Sequence, residues 1–360
     1  RRKLAETAAL IEAAYREIAD LPAMQSAARS LKEKAERLRN NLFTVVLFGA
    51  FSAGKSSFAN ALLGEQLLPV SPNPTTAAIS KILPPNGQNA HGTVTIHMKA
   101  EETVKEEIQK AAEYLGLNFT DVDSALAQIR AIHPEQVNEK GKPHLAFLKA
   151  VAEGYSGARP VFGQTLNADL HAFREYAAVE SKSCFVREIE LYYSCPFTDL
   201  GMALGDTPGA DSINARHTGV AFSYMKESDA VLFVTYYNHA FSHADREFLL
   251  QLGRVKDSFT MDKMFFVVNA ADLASDREEL RLVVDYVGER LTEFGIRHPR
   301  IYPLSSLRAL EGKTNRDEEK IAASGIRAFE TDFFRFLMEE LTEIVVRSAK
   351  QEIRRAAAML

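Results

Sequence analysis

A short glycine-containing run near the N-terminus constrains this chain more than any other feature. Residues 49–56 have the sequence GAFSAGKS, which fits the GxxxxGK[S/T] pattern of a phosphate-binding loop. An apolar run with strand character, 43–48, precedes it, and apolar residues at helical spacing follow at 58–63. The glycines of such a loop let several backbone N–H groups point at one phosphate chain, at the positive end of the next helix. The pattern therefore predicts a nucleotide-binding site.

Each position of this loop has a predicted task. The Lys55 ammonium would reach the β- and γ-phosphates, and the Ser56 hydroxyl would bind Mg²⁺. The predicted nucleotide contacts of the loop are Gly49, Ala53, Gly54, Lys55, Ser56 and Ser57.

A second motif follows a short, mostly apolar run at 201–205. Residues 206–209 have the sequence DTPG, a DxxG motif. We expect Asp206 to hold Mg²⁺ through water and the Gly209 N–H to contact the γ-phosphate. DTPG by itself is also a common turn, but its place after a phosphate-binding loop and a strand favours the functional interpretation.

Two further segments predict that the base is guanine. The apolar run 264–268 ends in Asn269-Ala270-Ala271-Asp272, where GTP-binding proteins usually carry [NT]KxD. The Asp272 carboxylate would accept hydrogen bonds from guanine N1 and N2, and a buried carboxylate rejects adenine because adenine cannot supply both donors. Ala270 replaces the usual lysine, which weakens this inference. After the next helix, 301–307 resembles the SA[KL] element, so Ser305 or Ser306 would line the base pocket.

The segment between the first two motifs contains the predicted switch, 72–78, with the sequence PNPTTAA. A GTP-hydrolysing site needs one threonine here to bind Mg²⁺ and orient the attacking water. Thr76 is the favoured residue because it is nearest the following strand, and Thr75 is the second choice. The alternative is an ordinary Pro/Asn turn.

These motifs together resemble the dynamin superfamily, and especially the bacterial dynamin-like proteins. The resemblance covers roughly 42–307 and rests on the runs GAFSAGKSSFANALLG, PTTA, DTPG, VVNAADL and PLSS. It implies Mg²⁺-dependent hydrolysis of GTP to GDP, activated when two GTPase domains form a homodimer. It places Ser52 where dynamins carry a serine that helps to hold K⁺ or Na⁺. The expected catalytic residues are Lys55, Ser52, Thr76 and Gly209.

The sequence also departs from the pattern it resembles. Phe51 stands where dynamins place a water-positioning glutamine, and Ala210 follows DTPG where small GTPases carry one. Two alternatives therefore stay open: a non-hydrolysing, nucleotide-gated binding module, or, because of Ala270, an ATPase. The resemblance further implies a cytoplasmic parent protein, peripheral to the membrane, that remodels, fuses or tethers membranes through segments outside this chain.

The composition and charge of the chain restrict the classes of partner that it can have. The net charge of −5 and the lack of a basic run argue against nucleic acid. No apolar run approaches the roughly 20 residues of a membrane span. The chain starts at Arg1 rather than methionine, so we expect a fragment of a longer protein.

The expected fold is an α/β GTPase domain with an extended mixed, mainly parallel sheet flanked by helices. Predicted boundaries are an N-terminal neck helix (1–40), the GTPase domain (41–310) with a helical insertion (about 101–182), and a C-terminal neck helix (315–360). The terminal segments carry apolar stripes at helical spacing and so need a partner. They would pair with each other as a neck or, alternatively, cap the sheet. Strands are predicted at 43–48, 78–83, 92–99, 185–193, 201–205, 230–236, 264–268 and 299–303.

Overall fold

The architecture comes from a computed structural model of the 360-residue chain. The structure describes residues 2–39, 42–70, 78–117, 119, 121–138, 140–207, 225, 228–254, 263–340 and 354.

The described residues form a nine-stranded sheet in the order β4-β3-β5-β2-β6-β1-β7-β8-β9. The run β6-β1-β7-β8-β9 is parallel throughout, β2 and β5 are parallel to each other, and the pairs β2–β6, β3–β5 and β3–β4 are antiparallel. The predicted mixed, mainly parallel sheet flanked by helices is confirmed. The strands are β1 (Phe43–Phe48), β2 (Ile79–Leu83), β3 (Val94–Met98), β4 (Thr165–Ala168), β5 (Val186–Tyr192), β6 (Met202–Asp206), β7 (Ala230–Tyr236), β8 (Met264–Asn269) and β9 (Arg300–Leu304).

Helices cover both faces of this sheet where the strands are apolar on both sides. Strands β1, β7 and β8 are buried almost throughout, which is the pattern of central strands in a parallel sheet. The helices are α1 (Arg2–Ile18), α2 (Gln25–Arg39), α3 (Lys55–Leu63), α4 (Glu101–Tyr114), α5 (Val122–Ala131), α6 (Lys142–Ala158), α7 (Leu170–Ala178), α8 (Glu180–Ser183), α9 (His243–Arg254), α10 (Arg277–Glu293), α11 (Ser306–Asn315), α12 (Glu318–Ala323) and α13 (Ile326–Arg335).

The parallel strands bring the predicted motifs to one edge. β1 ends immediately before the phosphate-binding loop, β6 ends at Asp206, and β8 ends at Asn269. The register pairs Leu47 with Asp206 and Asn269 with Leu304, so the strand ends are level. Ligands of open α/β sheets bind at this carboxyl edge.

The insertion at 101–182 is largely helical, as expected, but it also contains a strand that the sequence analysis missed. β4 pairs antiparallel with β3 and forms the edge of the sheet. Its residues are half-buried or exposed, so the strand lacks the apolar alternation that marks a strand in sequence. The insertion therefore extends the sheet as well as covering it.

The N-terminal segment is a pair of helices rather than the single helix predicted for 1–40. α1 and α2 pack against each other, and the chain turns between them at Leu21 and Pro22. Proline lacks the N–H that a continuous helix would need and clashes with the preceding turn. The apolar stripe is nevertheless real, because Ile11 and Leu31 are fully buried.

The beginning of the predicted C-terminal neck packs on the sheet. Phe329, Phe333 and Phe336 are completely buried, and their rings surround Phe265 of β8 at centroid distances of 5.0–6.3 Å. Phe329 also contacts Phe58 of α3 edge-on at 5.2 Å. For α13 and the π-helix Phe336–Glu340, the structure agrees with the capping alternative. Residues 341–360, apart from Arg354, lie outside the described residues, so the neck remains a prediction.

None of the described helices is both long enough and apolar enough to cross a bilayer.

The aromatic cluster predicts that α13 contributes to the stability of the whole domain. Phe333→Ala should lower the free energy of unfolding by about 3–5 kcal/mol, because the cavity opens at the centre of the core. The control Met338→Ala truncates a nearby side chain that is 67% exposed, and it should change the free energy of unfolding by less than about 0.5 kcal/mol. Urea unfolding of the two variants measures the difference. Equal stabilities would show that α13 is not part of the folded core.

Candidate nucleotide-binding site

The phosphate-binding loop has a backbone shape that two of its glycines make possible. Gly49 has φ +140°, and a Cβ atom there would lie 2.0 Å from the carbonyl oxygen of Val234. Gly54 has φ +81°, and its Cβ would lie 2.3 Å from the side-chain nitrogen of Asn269. Both backbone angles and both contacts exclude a side chain. The loop is thus packed against β7 and against the end of β8.

Lys55 is buried at the base of this loop, at the start of α3. Its ammonium donates hydrogen bonds to the backbone oxygens of Ala50 (2.9 Å) and Gly49 (3.2 Å). These contacts keep a positive charge within the loop where a phosphate chain would bind. Ala53 is buried, Ser56 and Ser57 are half-buried in the first turn of α3, and Ser52 is exposed on the short 3-10 turn before it.

Ser56 and Asp206 meet across the site. The Ser56 hydroxyl donates to Oδ2 of Asp206 at 2.6 Å, although the residues are 150 positions apart. Asp206 is only 2% exposed, and burial raises the pKa of its carboxyl, opposed by the charge of Lys55 and the hydrogen bond from Ser56. Its second oxygen, Oδ1, is buried without a hydrogen-bond partner among the described residues. An unpartnered buried carboxylate oxygen beside a hydroxyl suits a hard cation that prefers oxygen ligands and keeps several waters, so these residues fit Mg²⁺.

Asn269 joins the phosphate side of the site to the base side. Its amide nitrogen donates to the Ala53 carbonyl at 3.1 Å, and its amide oxygen accepts from the N–H (3.1 Å) and hydroxyl (2.7 Å) of Ser306. The oxygen also accepts from the Ala270 N–H at 2.9 Å. One buried side chain therefore fixes the distance between the phosphate-binding loop and the start of α11.

The predicted base-contacting residues lie together beyond Asn269. Asp272 is half-buried in the 3-10 turn Ala271–Leu273, and its Oδ2 lies 3.7 Å from Nε of Arg308. Ser305 is buried and forms the N-cap of α11, where its hydroxyl accepts from the Arg308 N–H. Ala270 adopts a left-handed backbone with φ +62°. The structure thus brings Asn269, Asp272, Ser305 and Ser306 close together beyond the ends of β8 and β9.

Two predicted residues cannot be placed in this way. Thr76 and Gly209 lie outside the described residues, as do Thr75 and Ala210. Their roles remain predictions from the sequence.

A buried carboxylate that lies outside every predicted motif supports the phosphate-binding loop. Asp245 of α9 is 1% exposed, and its Oδ1 accepts a hydrogen bond from the Ala50 N–H at 3.3 Å. Its Oδ2 accepts from the Ser242 N–H, the Ser242 hydroxyl and the Thr235 hydroxyl at 2.9–3.2 Å. Burial raises the pKa of Asp245, opposed by these hydrogen bonds. The S-x-x-D spacing of Ser242 and Asp245 matches a capping box, the signal that could have revealed it.

A second missed residue, Asn60, organises the chain that leaves α3. It is fully buried, donates to the Leu68 carbonyl at 2.8 Å, and accepts from the N–H groups of Leu67 and Leu68 at 3.0 and 2.8 Å. It thereby fixes the segment that leads to the predicted switch. An asparagine on the apolar face of a helix was the available signal.

The Asp245 contacts predict a measurable cost of removing the carboxylate. Asp245→Ala leaves the buried Ala50 N–H without its acceptor, so the free energy of unfolding should fall by about 2–3 kcal/mol. Affinity for a fluorescent GDP analogue should fall as well, because the loop backbone loses its support. Glu247→Ala, an exposed carboxylate on the same helix, should alter neither quantity. A variant Asp245→Ala with the stability and affinity of Glu247→Ala would contradict this role.

Comparison with known proteins agrees with this geometry. Residues 45–271 match the Dynamin family. The chain is 42% identical over 288 residues to dynamin-like protein A of Bacillus subtilis, covering 79% of this chain and 24% of that protein. It is 24% identical over 339 residues to dynamin-like protein 1 of Campylobacter jejuni, covering 90% of this chain and 41% of that protein. The chain thus spans 24% and 41% of the length of these two relatives.

A solved structure shows the same fold. One chain of an oligomerised bacterial dynamin pair, described as providing a mechanism for long-range sensing and tethering of membranes, superposes with a TM-score of 0.67. The match is 19% identical and covers 99% of this chain and 55% of that one. The family match, which spans more than half of the chain, establishes membership. This chain belongs to the dynamin family, whose members are GTPases.

Proposed function

We propose that this domain binds GTP with Mg²⁺ and hydrolyses it to GDP and phosphate. The observation that supports this most directly is the Asn269 amide. It holds the phosphate-binding loop and the start of α11 together, so that Lys55, Ser56 and Asp206 lie on one side and Asp272 and Ser306 on the other.

The residues have distinct tasks in this proposal. The Lys55 ammonium and the loop N–H groups bind the phosphate oxygens, and the Gly209 N–H contacts the γ-phosphate. Ser56, Thr76 and, through water, Asp206 hold Mg²⁺, which neutralises charge on the phosphates. The Asp272 carboxylate accepts from guanine N1 and N2, while Ser305 and Ser306 line the base pocket.

Hydrolysis also needs an oriented water and further positive charge. Neither Phe51 nor Ala210 can orient a water by hydrogen bonding through its side chain, and a missing arginine finger costs about 10³–10⁵ in rate. We infer that a second copy of the domain docks across the nucleotide and completes the site, and that Ser52 helps to hold K⁺ or Na⁺ there. A lone domain is then a slow enzyme.

Membrane action belongs to the longer parent protein in this proposal. The structural relative described above is associated with membrane sensing and tethering, and the curated relatives are much longer than this chain. We propose that GTP hydrolysis here drives tethering, fusion or remodelling through segments beyond this domain. The parent would be cytoplasmic and peripheral to the membrane, without nucleic acid as a partner.

The proposal predicts that GTP turnover per molecule increases with protein concentration. Turnover should be measured with Mg²⁺ and with K⁺ or Na⁺ over a wide dilution series, with ATP as the substrate control. Lys55→Ala should abolish turnover because it removes the buried charge that contacts the phosphates. Turnover that is flat with dilution would contradict activation by a second copy. ATP hydrolysed as fast as GTP would contradict the assignment of the base.

The base assignment predicts a specific change of substrate. Xanthine carries a carbonyl where guanine carries its 2-amino group, so the acceptor at 272 must become a donor to bind it. Asp272→Asn should therefore weaken binding of GDP and strengthen binding of xanthosine diphosphate (XDP), because the new amide donates to that carbonyl. Competition of each diphosphate against a fluorescent analogue measures the exchange. Unchanged preference for GDP over XDP would remove Asp272 from the base site.

A further inference from the structure

Arg308 has no role in the proposed function, although its charged side chain lies beside Asp272. Among the described residues it is the one cation within 4.0 Å of the Asp272 carboxylate, with its Nε 3.7 Å from Oδ2. It is not part of any motif in the sequence. A cation beside the carboxylate that faces guanine is therefore a feature that the structure alone reveals.

Hydrogen bonds fix the backbone turn that carries Arg308, while its side chain is 48% exposed. It lies in the first turn of α11, where its N–H donates to the hydroxyl of the N-cap residue Ser305 at 3.3 Å. Ser306, two residues earlier, hydrogen-bonds Asn269, which also contacts the phosphate-binding loop. The turn that carries Arg308 is thus fixed relative to both halves of the site.

The loop that carries Asp272 lacks the lysine that is usual in this motif. Ala270 occupies the position of the usual lysine, so the run 269–272 contains no cationic side chain. The Asp272 side chain is 20% exposed, so water competes for its oxygens and a fixed partner is needed to orient them. A guanidinium is a planar, permanently charged donor that suits a carboxylate.

We propose that Arg308 is a positioning residue for guanine specificity, acting through Asp272. Its guanidinium contacts Oδ2 and orients the carboxylate so that both oxygens face the two donors of guanine. This inference rests on the proposed function, because it assigns Arg308 a task only if Asp272 contacts the base.

The test compares binding of GDP with binding of inosine diphosphate (IDP), whose base lacks the 2-amino group. IDP offers one donor and needs one carboxylate oxygen, whereas GDP needs both in the correct orientation. In Arg308→Ala the dissociation constant for GDP should rise about fivefold, the upper range for an exposed ion pair, while that for IDP changes less than about twofold. The ratio of the two affinities should therefore fall, a result that a general loss of stability would not produce.

Two further variants separate the causes. Arg308→Lys keeps the charge without the planar fork and should recover part of the GDP preference. Arg277→Ala removes the same charge from an exposed position at the start of α10 and should leave both affinities at the wild-type value. Competition titrations against a fluorescent nucleotide, with circular dichroism to confirm folding, supply the measurements.

The outcomes distinguish this inference from the function on which it rests. Wild-type protein that does not prefer GDP to ADP would overturn both. Wild-type protein that prefers GDP to ADP, with Arg308→Ala retaining the wild-type ratio of GDP to IDP affinity or binding GDP more tightly, would overturn the role of Arg308 alone.

Discussion

The geometry of the candidate site depends on one amide side chain. Asn269 is 5% exposed and uses both ends of its amide: the nitrogen donates to the phosphate-binding loop and the oxygen accepts from the start of α11. Because Gly54 has no Cβ, the Asn269 amide can approach the loop closely enough to make this bond. Asn269 therefore links the residues proposed to bind the phosphates to the residues proposed to bind the base.

A second set of contacts links this site to the C-terminal part of the domain. The Lys313 ammonium, near the end of α11, donates to the Ala61 carbonyl at the end of α3 (2.6 Å) and pairs with Glu330 of α13 (2.5 Å). Lysine near a helix C-terminus hydrogen-bonds free carbonyls and complements the helix dipole. Phe58 and Phe329 reinforce the same junction through their rings. The helix α3, which follows the phosphate-binding loop, therefore contacts both α11 and α13.

The sequence predicted the parts of this site that are local in the chain. The loop 49–56, Asp206 and the Asn269–Asp272 turn belong to short motifs whose spacing follows from a strand and the turn after it, and the structure brings the described members of these motifs together. Contacts between distant residues outside these motifs were not predictable: Ala50 and Asp245 are 195 positions apart, and no pattern in either segment indicates the other. The same reason explains β4, which becomes a strand only because β3 presents an open edge. It also explains α13, whose apolar stripe was visible although its partner, Phe265, was not.

Hydrogen-bond partners, rather than burial, distinguish the two buried carboxylates next to the phosphate-binding loop. Both oxygens of Asp245 accept hydrogen bonds from protein donors, so its charge is compensated within the fold and it stabilises the shape of the loop. Asp206 is equally buried but has one oxygen without a hydrogen-bond partner among the described residues, whereas burial raises the pKa of both carboxyls. A charge left in this condition destabilises the protein unless a ligand compensates it. The hydroxyl of Ser56 and the ammonium of Lys55 supply part of the compensation. In the proposed function, a cation bound with the phosphates compensates the rest, so the ionised form of Asp206 and the bound nucleotide stabilise each other.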